Sequence, residues 1–289
     1  MKLGVKIDVD TLRGTQEGVP RLVELLKKHK AGATFLFSLG PDHTGRAMRR
    51  IFRPGFFSKV SRTSVLEHYG IRTLLYGTLL PGPDIGARCA QVMRDVRDAG
   101  FEVGIHCWDH VRWQDFVARR DAAWTHREME LACERFEAVF GEIPATWGAA
   151  GWQTNVHAAR FQERFAYASD TRGTHPFLPV WDGQAAGCPQ VPTTLPTLDE
   201  LIGVQPDPVQ HLLGLADGRD HVFTAHAELE GAKLIDMFDA LLMGWQRRGY
   251  ELISTDRVPL GRLPRHEVVY GEVPGRSGTL ALQGKEQVG

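Results

Sequence analysis

The chain has 289 residues, of which 43% are hydrophobic and 24% are charged. These values are typical of a globular protein that forms one large domain or two small ones. The formal net charge of -1 provides no overall field to attract nucleic acid or a membrane, so we expect no nucleic-acid partner and only local attraction to lipid.

The first predicted element is a buried strand over residues 3–7, which ends at Asp8 and Asp10. Apolar residues at helical spacing then predict a helix over residues 19–26, and a second strand follows over residues 33–37. This β-loop-α-β opening is typical of α/β proteins. In such proteins the chemistry gathers at the carboxyl ends of the strands.

An insert over residues 41–84 interrupts this alternation. Residues 45–66 contain no acidic side chain, and their basic side chains are interleaved with apolar and aromatic ones. The basic residues are Arg46, Arg49, Arg50, Arg53, Lys59 and Arg62. One interpretation is an amphipathic helical surface that lies in a membrane interface and binds anionic headgroups. The other is a helical insert that packs on the barrel formed by the rest of the chain, with its basic face in water.

After the insert, helices and strands alternate again up to residue 253. The predicted helices cover residues 85–96, 121–140, 156–165, 212–215 and 232–248. The predicted strands cover residues 101–105, 145–150, 167–169, 190–195, 221–225 and 250–253. Seven or eight strands in this order predict an α/β fold, a distorted (β/α)7–8 barrel within residues 1–260. Residues 261–289 are rich in glycine and charge, which predicts a loosely ordered C-terminal tail.

Side chains suited to metal binding follow three of these strands. Asp8 and Asp10 end the first strand, His106 and His110 follow residues 101–105, and His226 follows residues 221–225. Two histidines four positions apart share one face of a helix, and a divalent metal would need a carboxylate as well. Taken singly, each motif also fits a capping, surface or core role. Together, at one mouth of a barrel, they predict a metal-dependent hydrolase.

The order of these motifs resembles the polysaccharide-deacetylase (NodB-homology) family of metal-dependent amide hydrolases. The segments that carry the resemblance are Ile7-Asp8-Val9-Asp10-Thr11, His106-Cys107-Trp108-Asp109-His110, Gly148-Ala149-Ala150-Gly151-Trp152, Ser169-Asp170-Thr171-Arg172-Gly173 and Thr224-Ala225-His226-Ala227-Glu228. Residues 7–15, 39–42, 149–152 and 226–231 most resemble one branch of the family. Its members hydrolyse the formamide of undecaprenyl-phosphate-linked 4-deoxy-4-formamido-L-arabinose.

The resemblance implies that Asp10, His106 and His110 hold one divalent metal ion. This ligand set does not distinguish zinc, cobalt, nickel, manganese and iron. Asp8 would be the general base. Many family members have adjacent aspartates, whereas Val9 separates the two here, so the division of roles between Asp8 and Asp10 stays open.

The resemblance also implies that His226 protonates the departing amine and that Asp170 orients His226. The segment around Trp152 lacks the arginine with which many relatives hold the base. Arg13 and Arg172 are candidates to replace it or to bind the substrate phosphate. The candidate residues for lining the sugar pocket are Trp152, Glu228 and Glu230, for which packing roles are an equal alternative.

The implied products are formate and a free amino sugar on the lipid phosphate, used for lipid A modification and polymyxin resistance. The N-terminal residues lack the apolar core of a signal peptide, and no run approaches the roughly 20 apolar residues of a membrane span. We therefore expect a peripheral enzyme on the cytoplasmic face of the bacterial inner membrane, bound to its anionic surface through residues 45–66. One alternative is a deacetylase of a soluble amino sugar or oligosaccharide. Another is a non-enzymatic lipid-carrier-binding protein on a decayed hydrolase fold.

Overall fold

The computed structural model of the protein describes residues 1–47 and 71–287. Within these residues the chain forms eleven strands, which are β1 (Lys2–Val9), β2 (Thr34–Ser38), β3 (Glu102–Cys107), β4 (Thr146–Trp147), β5 (Tyr167–Ala168), β6 (Leu178–Trp181), β7 (Gln184–Ala185), β8 (His221–His226), β9 (Glu251–Ile253), β10 (Arg265–Glu272) and β11 (Thr279–Glu286).

The same residues form nine α-helices. They are α1 (Val19–His29), α2 (Ile71–Leu75), α3 (Ile85–Asp98), α4 (His110–Phe116), α5 (Ala122–Phe140), α6 (Val156–Gln162), α7 (Leu198–Leu201), α8 (Pro208–Leu215) and α9 (Ile235–Arg247). The predicted helix over residues 121–140 is confirmed as α5. Asp121 caps its start by accepting a hydrogen bond from Trp124 N, and Gly141 ends it in the left-handed conformation.

A curled sheet of seven parallel strands forms the centre of the fold, in the order β5-β4-β3-β2-β1-β8 with β9 also paired to β1. The backbone of residues 190–195 connects its two ends, because Val191 N donates to Ala168 O at 2.8 Å and Thr194 N donates to Val222 O at 3.0 Å. The predicted α/β class is confirmed. Among the described residues the sheet itself is a half-barrel rather than a closed ring of strands.

Strand β1 has neighbours on both edges, which makes it an interior strand of the sheet, next to the end strand β8. β8 pairs with residues 3–8, whereas β9 pairs with residues 2–4 and β2 with residues 6–9 along the other edge. Leu3, Val5 and Ile7 are fully buried, as expected for a strand that is covered on both faces. Side chains alternate along a strand, so Lys6 and Asp8 share the opposite face.

The two ends of the insert are fastened together in the structure. Asp42 N donates to Pro83 O at 2.9 Å, and Gly45 N donates to Tyr76 O at 3.0 Å. Leu79, near the second end, is 80% exposed. The predicted membrane-binding helices fall mainly on residues 48–70, outside the described residues. In the part of the chain that is described, no helix has the length and apolar character needed to cross a membrane.

The structure corrects the prediction of a loosely ordered C-terminal tail. β10 and β11 form an antiparallel hairpin, and β10 also pairs in parallel with β6. Arg172 N donates to Ala281 O at 2.9 Å, which fastens the hairpin to the rest of the α/β fold. The pairing with β6 and the bond from Arg172 join residues far apart in sequence, and strand formation depends on such neighbours more than on local propensity. The local pattern therefore gave no signal for the attachment of the hairpin to the rest of the fold.

Candidate active site

Three predicted metal ligands converge at the carboxyl-terminal edge of the sheet. Asp10 directly follows β1, His106 lies in β3, and His110 is the first residue of α4. His106 Nε2 lies 3.3 Å from Asp10 Oδ1, and His110 Nε2 lies 3.4 Å from Asp10 Oδ2. One ligand atom of each residue lies within 4.8 Å of the others. A carboxylate and two imidazoles at this spacing fit one divalent metal ion.

The His106 ring has the orientation that metal binding requires. Its Nδ1 donates to the Gly148 carbonyl oxygen at 2.7 Å, so the neutral ring presents a lone pair on Nε2. That lone pair faces Asp10 Oδ1, a buried atom without a hydrogen-bond partner in the described part of the chain. Burial opposes ionisation of Asp10, but His110 and His106 outweigh it and lower its pKa below the ordinary value. Two facing lone-pair atoms need a cation or a proton between them, so the donor set fits a metal.

His110 is positioned by the start of α4. Asp109 caps this helix by accepting a hydrogen bond from Arg112 N at 3.0 Å. The second oxygen of the same carboxylate lies 2.6 Å from His43 Nδ1. The residue before this metal ligand is therefore fastened both to its own helix and to the beginning of the insert.

The predicted base, Asp8, lies inside the sheet and next to a cation that the sequence analysis did not assign. Asp8 is 3% exposed, and its Oδ1 lies 3.9 Å from His106 Nδ1. Its Oδ2 lies 3.3 Å from Lys6 Nζ, and Lys6 is fully buried. The spacing of two residues along a strand was the signal that could have revealed this pair.

The structure corrects the predicted partner of His226. Asp170 Oδ1 accepts a hydrogen bond from Ala149 N at 2.8 Å, so this carboxylate holds the loop after β4. Burial raises the pKa of Asp170 to about 6. The carboxylate beside His226 is Asp199, whose Oδ1 lies 4.0 Å from His226 Nδ1. Asp199 was missed because it follows an irregular segment and belongs to none of the quoted motifs.

Glu228 and Glu230, predicted to line the sugar pocket, are buried and hold backbone instead. Glu228 Oε1 accepts hydrogen bonds from Asp10 N at 3.0 Å and from Thr11 N and Oγ1, both at 2.8 Å. Glu230 Oε2 accepts one from His226 N at 2.7 Å. Burial raises the pKa of Glu228 well above its ordinary value and that of Glu230 to about 7. These two carboxyl groups therefore position the chain on either side of the candidate site.

The two arginines predicted to replace the missing arginine both have carboxylate partners away from Asp8. Arg13 Nε lies 3.0 Å from Glu17 Oε2 on the surface. Arg172 Nη1 lies 2.6 Å from Glu200 Oε1. The cation that the structure places beside the predicted base is Lys6, whose Nζ lies 3.3 Å from Asp8 Oδ2.

Trp152 forms a buried wall beside His226, with the two rings edge to face and their centroids 6.4 Å apart. The guanidinium of Arg172 lies 5.0 Å from the Trp152 ring centroid, and that of Arg276 lies 4.8 Å from it. Arg276 comes from the turn between β10 and β11, and its Nη2 lies 3.0 Å from Asp199 Oδ1. The sequence analysis missed Arg276 because it placed this segment in a loosely ordered tail.

Comparison with known proteins agrees with this arrangement. Residues 7–155 match the family model for polysaccharide deacetylase. A relative from Shewanella sediminis is 36% identical over 98% of this chain and 94% of its own length, and one from Wigglesworthia glossinidia brevipalpis is 30% identical over 94% and 99%. Both are named probable 4-deoxy-4-formamido-L-arabinose-phosphoundecaprenol deformylase ArnD. A solved structure from Mycobacterium smegmatis, assigned as a polysaccharide deacetylase, has the same fold, with a TM-score of 0.61 at 16% identity over 94% of each chain.

Proposed function

The chain belongs to the polysaccharide deacetylase family, and from this premise we propose that it is a metal-dependent deformylase. Its substrate would be undecaprenyl-phosphate-linked 4-deoxy-4-formamido-L-arabinose, and its products formate and the free amino sugar on the same lipid. The observation that carries the proposal is the convergence of Asp10, His106 and His110 beside Asp8 and His226. The names of the two relatives supply the substrate class.

In the proposed mechanism, one residue on each of two neighbouring strands transfers a proton: Asp8 on β1 and His226 on β8. A divalent metal held by Asp10, His106 and His110 would supply a Lewis acid for the formyl oxygen and for the attacking water. Asp8 and His226 are direct neighbours in the parallel pairing of β1 with β8, and neighbouring strands lie about 4.8 Å apart. Asp8 accepts a proton from the water, and His226 gives a proton to the sugar nitrogen as the C–N bond breaks.

The side chains around His226 suit this transfer. Glu230 fixes the backbone nitrogen of His226, and Asp199 lies on the Nδ1 side of its ring. His226 Nδ1 is buried and has no hydrogen-bond partner in the ranges that the structure covers. A carboxylate on this side can orient the ring, as in other acid–base sites. The ring is therefore arranged to carry a proton to the leaving amine.

We also propose that the enzyme works at the cytoplasmic face of the bacterial inner membrane. The reason is chemical, because an undecaprenyl chain holds the substrate in the bilayer. The basic and aromatic composition of residues 45–66 would bind the anionic surface. In the cell the product would serve lipid A modification and polymyxin resistance. Flotation with vesicles of zwitterionic lipid, with and without anionic lipid, tests this part, and absence of binding to both kinds of vesicle would contradict it.

The test of the reaction is formate release from the lipid-linked formamido sugar in detergent, with and without a chelator. We expect release by the metal-loaded protein, loss with chelator, and recovery on adding back a divalent metal. Asp8→Ala should abolish release while metal content stays unchanged. If the formamido sugar is untouched but an acetamido amino sugar yields acetate, the chain is a deacetylase. If neither is hydrolysed with any divalent metal, the enzymatic proposal is wrong.

A further inference from the structure

Lys6 is a buried charge in the middle of β1, an interior strand of the sheet. It is 0% exposed and sits between the core residues Val5 and Ile7. Removing an ammonium from water carries a large desolvation cost unless an opposite charge and hydrogen-bond acceptors surround it. A strand that needed only to fill the core would carry an apolar side chain here. The position of this cation therefore calls for a function.

The contacts of Lys6 all lie on the side of the candidate active site. Its Nζ lies 3.3 Å from Asp8 Oδ2 and 3.4 Å from the Ser169 carbonyl oxygen. It also lies 5.3 Å from the ring centroid of Trp152, close enough for a cation–π contact. The same charge acts to lower the pKa of the nearby carboxyl of Asp170, against the larger opposite effect of burial. One ammonium thus contacts the predicted base, the loop after β5 and the Trp152 ring.

The two oxygens of Asp8 have different surroundings. Oδ2 faces Lys6, whereas Oδ1 is buried, without a hydrogen-bond partner in the described chain, and directed to the side where His106 lies. A carboxylate that must take a proton from water needs one oxygen free and a fixed direction. An ion pair at the other oxygen provides that direction, because rotation of the carboxylate would break it.

We propose that Lys6 is the positioning residue of the catalytic base, holding Asp8 by Oδ2 so that Oδ1 faces the water that attacks the substrate. This inference rests on the proposed function, in which Asp8 is the base. It assigns to a strand residue the task that an arginine performs in many relatives. The separation of two residues on β1 makes the pairing a property of the strand itself.

A double-mutant cycle tests the proposal. Lys6→Met removes the charge at similar length, Asp8→Asn removes the base, and the double variant combines them. Lys28→Met, on the exposed face of α1, is the matched control. We expect Lys6→Met to lower kcat about 100-fold, as small misplacements of catalytic groups do, with metal content and KM within about threefold of wild type. The double variant should be no slower than Asp8→Asn, because Lys6 acts only through Asp8.

Three results would overturn the proposal. They are an unchanged kcat in Lys6→Met, a loss explained by lost metal, and a double variant in which the two losses multiply. If Lys6→Met does not fold, the double variant is tested for a thermal unfolding transition instead. We expect it to fold, because Asp8→Asn removes the buried carboxylate charge that Lys6→Met leaves unpaired. A double variant that stays unfolded would contradict the pairing.

Wild-type formate release is measured first, which separates the two proposals. If wild type releases formate and the cycle fails, only the role of Lys6 is wrong. If wild type releases no formate, the substrate assignment is wrong, and the same four proteins are compared by acetate release from an acetamido amino sugar. If wild type releases neither formate nor acetate, Asp8 is not a catalytic base. The proposed role of Lys6 is then wrong as well.

Discussion

Replacing Glu228 tests whether its hydrogen bonds to residues 10 and 11 hold the proposed metal ligand Asp10 in place. Its Oε1 is the common acceptor for Asp10 N, Thr11 N and Thr11 Oγ1. Glu228→Ala leaves three donors without this acceptor, and at about 1 kcal/mol or more for each we expect a loss of about 3 kcal/mol in the free energy of unfolding. Because the loop that carries Asp10 loses its anchor, affinity for the metal should fall about 10- to 100-fold.

Glu228→Gln is the matched control, because its amide oxygen can occupy the place of Oε1 and accept from the same three donors. We expect it to keep metal affinity and stability close to wild type. The assays are thermal unfolding of the metal-free proteins and competition with a metal indicator. Equal loss of metal affinity in both variants would refute the reasoning, since the acceptor geometry would then not be what matters. An Ala variant with unchanged affinity would refute it as well.

Three further predictions follow from other contacts. Burial raises the pKa of Glu102 to about 7, so its contribution to stability is present below about pH 4.5 and is lost as pH rises through 7. Ionising this group costs on the order of 3 kcal/mol, and Glu102→Gln should flatten that part of the pH profile of chemical unfolding, whereas an unaltered slope would contradict the assignment. Gly14→Ala should lower the melting temperature and weaken metal binding, because a Cβ there would lie 1.9 Å from Glu228 Oε1; a stable variant with normal metal content would show that the carboxylate can move. Arg276→Gln should lower kcat about tenfold by releasing Asp199 beside His226, with Arg276→Lys intermediate, and normal turnover in both would show that the hairpin does not serve the site.

The elements that carry their own local pattern were predictable from the sequence. β1 and β3 are short apolar runs with polar residues at their ends, and the HxxxH spacing of His106 and His110 places both rings near Asp10. These features depend on a few neighbouring residues. The alternation of helices and strands, and with it the α/β class, was predictable for the same reason.

The contacts that depend on distant segments were not predictable. Asp199 reaches His226 only because residues 194 and 195, just before α7, hydrogen-bond to Val222 O of β8. Arg276 reaches Asp199 only because β10 pairs with β6. No periodicity in residues 261–289 encodes a partner 80 residues away. Lys6 is a different case, because its position two residues before Asp8 was visible in the sequence. A charge inside an apolar strand indicates a buried partner, and the carboxylate two residues later lies on the same face.

Strand β1 has a consequence for how such an enzyme can change. It carries Lys6 and the proposed base Asp8, and the proposed metal ligand Asp10 follows directly after it. The spacing of these three residues is therefore set by the backbone repeat of a strand that is hydrogen-bonded along both edges. Trp152 and the two guanidinium groups over its ring come from other loops and from the hairpin. The residues of β1 and the side chains around Trp152 therefore belong to separate stretches of the chain. Substitutions in the loops and the hairpin can change the second group while the residues of β1 stay the same.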